Sequence, residues 1–230
     1  MPATRAFLNS DAGEEVMQQS YAQAGWRLSL FFAVNAWGAP ATQARIARIC
    51  KQRGIAFGAH PAAPKTGSLR ASLYQQIGGT RAIALSEGVK MSHVKPHGRL
   101  YHACAKGGRD AEVLIEAVRS LWPSLRLVAP AGSSLVTLAK RRGLRVWTEG
   151  FADRRYRTNG TLVPRSQRGA LIRNPAEAAA QAEALALGRA FSARGGTARL
   201  PPVDTVCIHG NTPGAHAIAL AARQALRGIR

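Results

Sequence analysis

The stretch HVKPHGRLYH, residues 93–102, holds three of the six histidines of the chain together with a lysine and a proline. Alternate side chains of an extended strand share a face, so His93, Lys95 and His97 are expected on one side. A buried ammonium group needs an anionic partner, and an inward Lys95 therefore indicates a site for negative charge rather than a purely structural residue. His102 falls in the turn or helix start that follows and is interpreted as a solvated surface residue.

Polar side chains also end most of the other short apolar runs. They are Asn9, Asp11, Asn35, His60, Glu149, Asp153, His209 and Asn211. In parallel α/β folds the reactive residues gather at the carboxyl ends of the strands. The one-sided distribution therefore predicts a single cavity at the strand ends, lined by five side chains in particular. These five are Asp11, His60, Lys95, His97 and His209. Two simpler roles stay open, because Asp11 could cap a helix and His60 could satisfy a hydrogen bond of the core.

The elements that must position these residues alternate between short apolar runs and longer helical segments. Seven runs are expected to be strands: 5–10, 28–35, 55–60, 91–97, 125–131, 144–151 and 204–210. Continuous apolar runs such as 28–34 are typical of strands covered on both faces. The alternation predicts one α/β domain over residues 1–230 with a parallel sheet, and it leaves open whether the sheet closes into a barrel.

Local signals set several expected boundaries. Ser133 and Asn174 precede helical segments and are predicted N-caps. The helix that follows Asn174 is expected to run to residue 191, and residues 196–202 are expected to form a long loop. Glycines at 54, 88 and 143 are expected to end helices, as glycine often does.

Composition excludes several classes of protein. With 230 residues and 46% hydrophobic content the chain can bury a core and is not intrinsically disordered. It has no uninterrupted apolar run of about 18 residues, which a membrane span would need, and no basic-then-apolar leader of the secretory type. Cys50, Cys104 and Cys207 are too few and too widely spaced for a disulfide framework or a metal-type pair. These features predict a cytoplasmic protein that does not enter a membrane.

The net charge of +20 is the most unusual global property, and arginine supplies 26 of the 32 basic residues. The arginines are scattered singly or in short runs. The chain has no basic tail, and no aromatic residues interleave the charges as a stacking platform for bases requires. We interpret this as a generally basic surface with local anion sites, and do not predict a nucleic-acid partner.

Five motifs together resemble one known family. They are LNSDAGE (8–14), GAHP (58–61), HVKPHGRLY (93–101), EGFADRRYRTNGTLVPRSQRGA (149–170) and CIHGNTPGA (207–215). In this order they resemble the LamB/YcsF family of lactam-utilisation proteins, which supplies the A-type subunit of 5-oxoprolinase. The resemblance extends from about residue 5 to residue 226, and the long fourth motif is highly specific.

The resemblance implies a fold and a reaction. The fold is an irregular seven-stranded parallel (β/α) barrel, similar to the glycoside hydrolase/polysaccharide deacetylase-like fold. The reaction is the ATP-dependent hydrolytic opening of the lactam 5-oxo-L-proline to L-glutamate, with Mg²⁺ accompanying ATP. The implied partners are the lactam and two allophanate-hydrolase-like subunits, the B and C types of 5-oxoprolinase.

The resemblance also implies roles for particular residues. Phosphorylating a lactam carbonyl needs cations for phosphate, a base for water and donors for developing negative charge. The implied catalytic residues are Asp11, His60, Lys95 and His97. The implied substrate- or nucleotide-binding residues are Asn9, Arg165, His209 and Asn211. No protein-held metal is predicted.

The chain departs from the family pattern in three places. The family's Cys-Gly-Phe-His-Ala-Gly-Asp turn is replaced by AVNAWGAPATQA (33–44), the loop after GAHP is shortened to AAPKTGSLRAS (62–72), and the family's His-Gly-Asp-Thr-Pro reads HGNTP. Two alternatives therefore stay open. One is a metal-dependent, deacetylase-like hydrolase that uses Asp11 and two histidines. The other is a catalytically weakened or inactive paralogue with a scaffolding role.

Overall fold

A computed structural model describes residues 6–13 and 31–229 of the chain. These residues form two compact units. The first contains residues 6–10 and 148–229, and the second contains residues 11–13 and 31–147. The N-terminal end of the first expected strand, residues 28–30 of the second and Glu14 of the first motif lie outside the described residues.

The parallel strands close into a barrel in the order β1-β2-β3-β4-β5-β6-β9, and β7 and β8 form a separate two-stranded sheet. The seven-stranded barrel predicted from the family resemblance is thereby confirmed. The strands are β1 (Phe7–Ala12), β2 (Phe31–Asn35), β3 (Ala56–His60), β4 (Met91–Val94), β5 (Arg126–Pro130), β6 (Arg145–Phe151), β7 (Ala190–Ala193), β8 (Gly196–Arg199) and β9 (Thr205–Cys207).

Seven helices lie in the described part of the chain. They are α1 (Pro40–Arg53), α2 (Leu69–Ser86), α3 (Gly98–Ala105), α4 (Arg109–Leu121), α5 (Ser134–Arg141), α6 (Pro175–Leu187) and α7 (Ala215–Gly228). None of the helices within residues 6–13 and 31–229 is both long and apolar enough to cross a membrane.

The second unit is built on the pairings β2–β3, β3–β4 and β4–β5, all parallel. Every residue of β2 is buried, as expected for an apolar strand covered on both faces. The register sets Asn35 opposite His60 at the ends of β2 and β3. The polar residues that end these two strands are therefore brought side by side.

The first unit centres on β9, which pairs with β1 on one side and with β6 on the other. Thr205 is opposite Phe7 in β1 and opposite Glu149 in β6. At the start of β9, the Asp204 carboxylate accepts hydrogen bonds from the backbone amide and the hydroxyl of Thr148, each 2.8 Å long. The last barrel strand thus joins the first strand to the sixth.

Two boundary predictions are wrong in the same region. The helix expected to reach residue 191 ends at Leu187, because Gly188 takes the left-handed conformation with φ of 63° and closes it. Residues 190–199, expected as helix end and loop, form the antiparallel hairpin β7–β8. Gly195 in the turn and Gly196 at the start of β8 both have positive φ.

The predicted caps have different outcomes. Asn174 accepts hydrogen bonds from the backbone amides of Ala176 and Glu177, as predicted. Ser133 precedes α5 but makes no capping hydrogen bond with its side chain. The fourth strand also ends earlier than predicted, at Val94, because Pro96 has no backbone N–H to extend a ladder.

Candidate active site

A buried ion pair lies at the end of β4. Lys95 is only 1% exposed, and its Nζ is 2.7 Å from Oδ1 of Asp11, near the end of β1. The backbone amide of Lys95 still donates to the carbonyl of Ala59 in β3, at 2.9 Å, which holds the residue in extended backbone beyond the strand. The prediction that an inward Lys95 would have an anionic partner is confirmed.

His60 joins this pair through both ring nitrogens. Its Nδ1 is 2.7 Å from the backbone carbonyl of Lys95, and a carbonyl can only accept, so Nδ1 carries a proton. Its Nε2 lies 3.4 Å from Oδ2 of Asp11 and 2.9 Å from Nδ1 of His97. The Nε2 of a neutral His60 accepts from His97, whereas the Nε2 of a protonated His60 faces the carboxylate as a donor. His60 therefore links a buried carboxylate to a more exposed histidine.

His97 is half-buried and immediately precedes α3 as its N-cap residue, and its backbone amide donates to the carbonyl of Pro61 at 2.8 Å. The indole of Trp37, in the turn after β2, packs on His97 with ring centroids 4.5 Å apart and is 46% exposed. Trp37 therefore covers one side of the histidine pair and keeps a large part of its surface available to solvent.

Asn35 supplies a further polar group at these strand ends. The side chain is buried, and its Oδ1 has no hydrogen-bond partner among the residues that the structure describes. Gly13 follows β1 with φ of 96°, and a Cβ at this position would lie 3.4 Å from the Cβ of Asn35. The close approach leaves little room for a larger residue at position 13.

His93 lies among aromatic rings rather than with the polar residues. It is fully buried, its ring centroid is 4.3 Å from that of Phe31, and Trp147 is also in ring contact. Burial, assisted by the charge of Lys95, lowers the pKa of His93 to about 3. His93 is therefore neutral at physiological pH and acts as packing beneath the ion pair.

A second group of polar side chains belongs to the first unit. The Asp153 carboxylate, just beyond β6, accepts hydrogen bonds from His209 and Thr212. Arg165 and Asn211 are both exposed and are joined by a hydrogen bond of 3.3 Å. Asn9 is buried in β1 and donates from its amide to the Thr205 hydroxyl of β9 at 2.8 Å.

The structure thus brings together the four residues predicted to be catalytic, Asp11, His60, Lys95 and His97, within the second unit. The predicted binding residues Asn9, Arg165, His209 and Asn211 belong to the first unit. That His209 shares a cavity with the four catalytic candidates stays a prediction.

Sequence reasoning gave no site role to three residues that the structure makes prominent. Asn35 and Asp153 were recognised only as strand-end polar residues, and Trp37 only as part of a replaced turn. Register could have found Asn35, since it ends β2 directly opposite His60 at the end of β3. A side-chain contact such as Trp37 on His97 has no comparable signal in a single sequence.

Comparisons with known proteins agree on one family. The model of the LamB/YcsF family matches residues 8–229. A protein of Methylococcus capsulatus, named as the A-type subunit of 5-oxoprolinase, is 39% identical over 96% of this chain and 93% of its own length. A protein of the same name from Syntrophobacter fumaroxidans is 38% identical over 84% of this chain and 82% of its own.

Solved structures agree with the sequence comparisons. The crystal structure of a lactam utilization protein from Thermus thermophilus superposes with a TM-score of 0.84, at 32% identity, over 97% of this chain and 96% of that one. A family 4 carbohydrate esterase from Streptomyces lividans superposes with a TM-score of 0.52 at 13% identity, over 98% of this chain and 88% of that one. The second similarity concerns the barrel fold alone.

Proposed function

The chain belongs to the LamB/YcsF family, and from that membership we propose that it is the A-type subunit of a 5-oxoprolinase. The proposed reaction consumes 5-oxo-L-proline, ATP and water and yields L-glutamate, ADP and phosphate. The observation that carries the proposal is the buried Lys95–Asp11 pair with His60 and His97 beside it, in a family whose relatives have this name.

The reaction needs help because a lactam amide resists water. Transfer of the terminal phosphate of ATP to the lactam oxygen activates the carbonyl carbon, and a first water attacks that carbon so that the carbon–nitrogen bond breaks. A second water then releases phosphate from the resulting acyl phosphate. Negative charge develops on oxygens in each of these steps, so a fixed cation in a water-poor site favours them. Lys95 is the proposed cation, because its ammonium group is buried and already oriented by Asp11.

Asp11 and the two histidines are proposed to manage protons. Asp11 holds the ammonium group in the free protein and is released to orient water when a substrate anion takes its place beside Lys95. His60 has its Nδ1 proton fixed by a carbonyl, and its Nε2 faces both Asp11 and His97. A proton can therefore pass between the buried carboxylate and the half-buried His97 with little movement of heavy atoms.

Asn35 and Trp37 are proposed to recognise the lactam. The buried Oδ1 of Asn35 can accept the lactam N–H. The exposed face of Trp37 can cover the small apolar ring of the substrate while its other side packs on His97. Arg165 and Asn211 remain candidates for contact with nucleotide.

A metal-dependent hydrolase is less well supported by these contacts. Its divalent ion would need the Asp11 carboxylate, and Lys95 already places a positive charge 2.7 Å from that group. An ammonium ion and a divalent metal that share one carboxylate would repel each other in a buried site. Mg²⁺ is therefore proposed only as the companion of ATP, with no resident metal.

The partners and the compartment are part of the same proposal. The word subunit in the names of the relatives supports a complex, for which we propose two allophanate-hydrolase-like subunits of the B and C types. The three cysteines are all buried and no two of them form a disulfide, as expected of a protein that works in the cytoplasm.

The test is lactam-dependent ATP hydrolysis with the B- and C-type subunits present. Lys95→Met keeps the stem and removes the charge, and the loss of one charge-assisted contact is expected to weaken anion binding about 10- to 150-fold. Lys65→Met, at an exposed lysine, is the matched control and should retain activity. Equal activity in both variants would remove Lys95 from the site. No lactam-dependent hydrolysis by the parent complex would favour the scaffolding paralogue.

A further inference from the structure

A second group of residues with the chemistry for proton transfer lies in the first unit, around Asp153. This carboxylate is fully buried and accepts hydrogen bonds from two residues. The His209 backbone amide donates to Oδ2 at 3.0 Å, and the Thr212 hydroxyl donates to the same oxygen at 2.5 Å. The Nδ1 of His209 lies 3.1 Å from Oδ1 and 3.0 Å from Oδ2.

These contacts keep Asp153 ionised. Burial by itself would raise the pKa of Asp153, but the positive charge available on His209 and the hydrogen bonds from His209 and Thr212 outweigh it, and the pKa is lowered. An ionised carboxylate only accepts hydrogen bonds, so His209 must carry its proton on Nδ1. The neutral imidazole therefore presents Nε2 as a lone pair.

The His209 ring is held in a fixed plane by its neighbour and is partly exposed. Phe151 stacks on the imidazole, with centroids 5.3 Å apart and planes 11° from parallel, which fixes the plane of the ring. The His209 side chain is 16% exposed, whereas Asp153 is not exposed at all. One ring nitrogen is tied to a buried carboxylate, and Nε2 is not part of that contact, as in a general base with its orienting acid.

Neither residue needs this geometry for folding alone. The backbone amide of His209 and the hydroxyl of Thr212 already tie Asp153 to the segment after β9. The imidazole adds a contact from Nδ1 to the buried carboxylate, and the His209 side chain stays partly exposed. A structural tie would be served as well by an asparagine or a glutamine at position 209.

We propose that His209 is a catalytic proton-transfer residue of the lactam-opening reaction and that Asp153 is its positioning residue. The inference rests on the proposed function. Nε2 of His209 takes a proton from the first attacking water as the oxygen–carbon bond forms, and returns it to the ring nitrogen as the carbon–nitrogen bond breaks. This leaves an acyl phosphate, which a second water hydrolyses to the carboxylate and phosphate. Asp153 stabilises the imidazolium between the two transfers and does not itself take the proton. His209 thereby changes from the binding role expected from the sequence to a role in the chemistry.

The tautomer provides a test that needs no activity. Nitrogen-15 NMR of the intact, histidine-labelled chain should find His209 protonated on Nδ1 when neutral, and His209→Gln identifies its signals. Asp153→Asn should shift the population toward the Nε2–H form. A parent protein with Nε2–H on His209 would overturn the dyad, whatever the enzyme does.

Kinetics of the complete complex test the catalytic role. His209→Gln should lower kcat for lactam-dependent ATP hydrolysis about 10²- to 10⁴-fold with little change in KM. Asp153→Asn should lower kcat because His209 then favours the Nε2–H tautomer. Thr212→Ser retains the hydroxyl and should keep most of the kcat of the parent. His216→Gln, at a half-buried histidine of α7, is the matched control. An active parent with an unimpaired His209→Gln variant would sink the inference and leave the proposed function standing. An inactive parent complex would sink the proposed function and with it the reaction assigned to His209.

Discussion

At the scale of single residues, the Lys95–Asp11 ion pair is the contact in the second unit whose loss should reduce stability most. Both residues are buried, with 2.7 Å between Nζ and Oδ1. Removing one member leaves the other charge without that partner in a poorly solvated place, and breaking a buried pair typically costs about 3–5 kcal/mol, whereas replacing both can be nearly neutral.

We therefore expect Lys95→Met to lower the free energy of unfolding by about 3 kcal/mol. The double variant Lys95→Met with Asp11→Asn should recover a large part of that loss, because no uncompensated carboxylate remains. Urea unfolding of the parent, both single variants and the double variant forms a complete cycle. Strict additivity of the two single effects would show that the pair is not coupled.

Asn35 offers a way to separate binding from stability. Its Oδ1 is buried without a hydrogen-bond partner among the described residues, so Asn35→Ala removes a polar group that folding must desolvate. We expect a change in stability within about 1 kcal/mol and a rise in KM for the lactam of roughly tenfold. An unchanged KM would remove Asn35 from substrate recognition.

Burial of His93 should make the free energy of unfolding depend on pH. The pKa of His93 is about 3 in the folded chain and about 6.5 in an unfolded one. Between these values the unfolded state binds the extra proton, so stability is complete above about pH 6.5 and falls as the pH is lowered toward 3. The loss should reach on the order of 3–5 kcal/mol.

The measurement is the free energy of unfolding against pH for the parent and for His93→Gln, which cannot titrate. The variant should be less stable at about pH 7, and its stability should fall less steeply below about pH 6.5. Parallel curves would mean that His93 does not carry the acid sensitivity.

At the scale of elements, the close packing of β3 against β4 requires a glycine at position 58. A Cβ on Gly58 would lie 2.3 Å from Nε2 of His93, which is fixed among aromatic rings. Neither the strand nor the ring can move without disturbing the residues that follow, His60 and Lys95. The absence of a side chain at this one position therefore sets the spacing of the strand ends that form the candidate active site.

We expect Gly58→Ala to lower the free energy of unfolding by about 3 kcal/mol or more, as for other overpacked cores. Adding His93→Ala should restore part of the loss by making room. Gly79→Ala is the control, because Gly79 is an exposed residue of α2 and a Cβ there would have no atom within 4 Å. This change should raise stability by about 0.5–1 kcal/mol. Thermal melting of the variants side by side decides the matter. A neutral Gly58→Ala would contradict the close packing.

Sequence reasoning worked best where a period or a chemical need is strong. The apolar run of β2 and the polar ends of β1, β3 and β4 were predictable, because burial on both faces and the need of Lys95 for an anion leave few alternatives. The β7–β8 hairpin was missed, since Gly195 and Gly196 are also what a loop would contain. The Asp153–His209 pairing depends on the register of β6 with β9, which local patterns do not encode.

At the scale of the whole molecule, charge is the dominant property. The chain has 32 basic and 12 acidic residues. Ion pairs at the surface, such as Arg70–Glu116 and Arg48–Glu87, use acidic residues that are already counted, so the net charge of +20 remains. Repulsion among the remaining cations opposes the compact state. Added salt screens this repulsion over about 10 Å at roughly 0.1 M.

Stability should therefore rise with ionic strength. Between low salt and about 0.5 M sodium chloride we expect Tm to increase by roughly 2–4 °C, which corresponds to about 1 kcal/mol for a chain of this size. Sodium fluoride should act similarly if screening is the cause. A fall in Tm with either salt would mean that attractive ion pairs outweigh the excess charge.

The position of β9 has a consequence for the order in which the protein is made. β9 is the last of the described strands in chain order, yet it is the neighbour of both β1 and β6. While synthesis continues, those two strands have edges that await a partner up to 198 residues away, and such distant pairings form slowly. The nascent chain therefore has unpaired strand edges until β9 is made. A chain that is truncated before Thr205 should aggregate or be bound by chaperones, and should not be partly active.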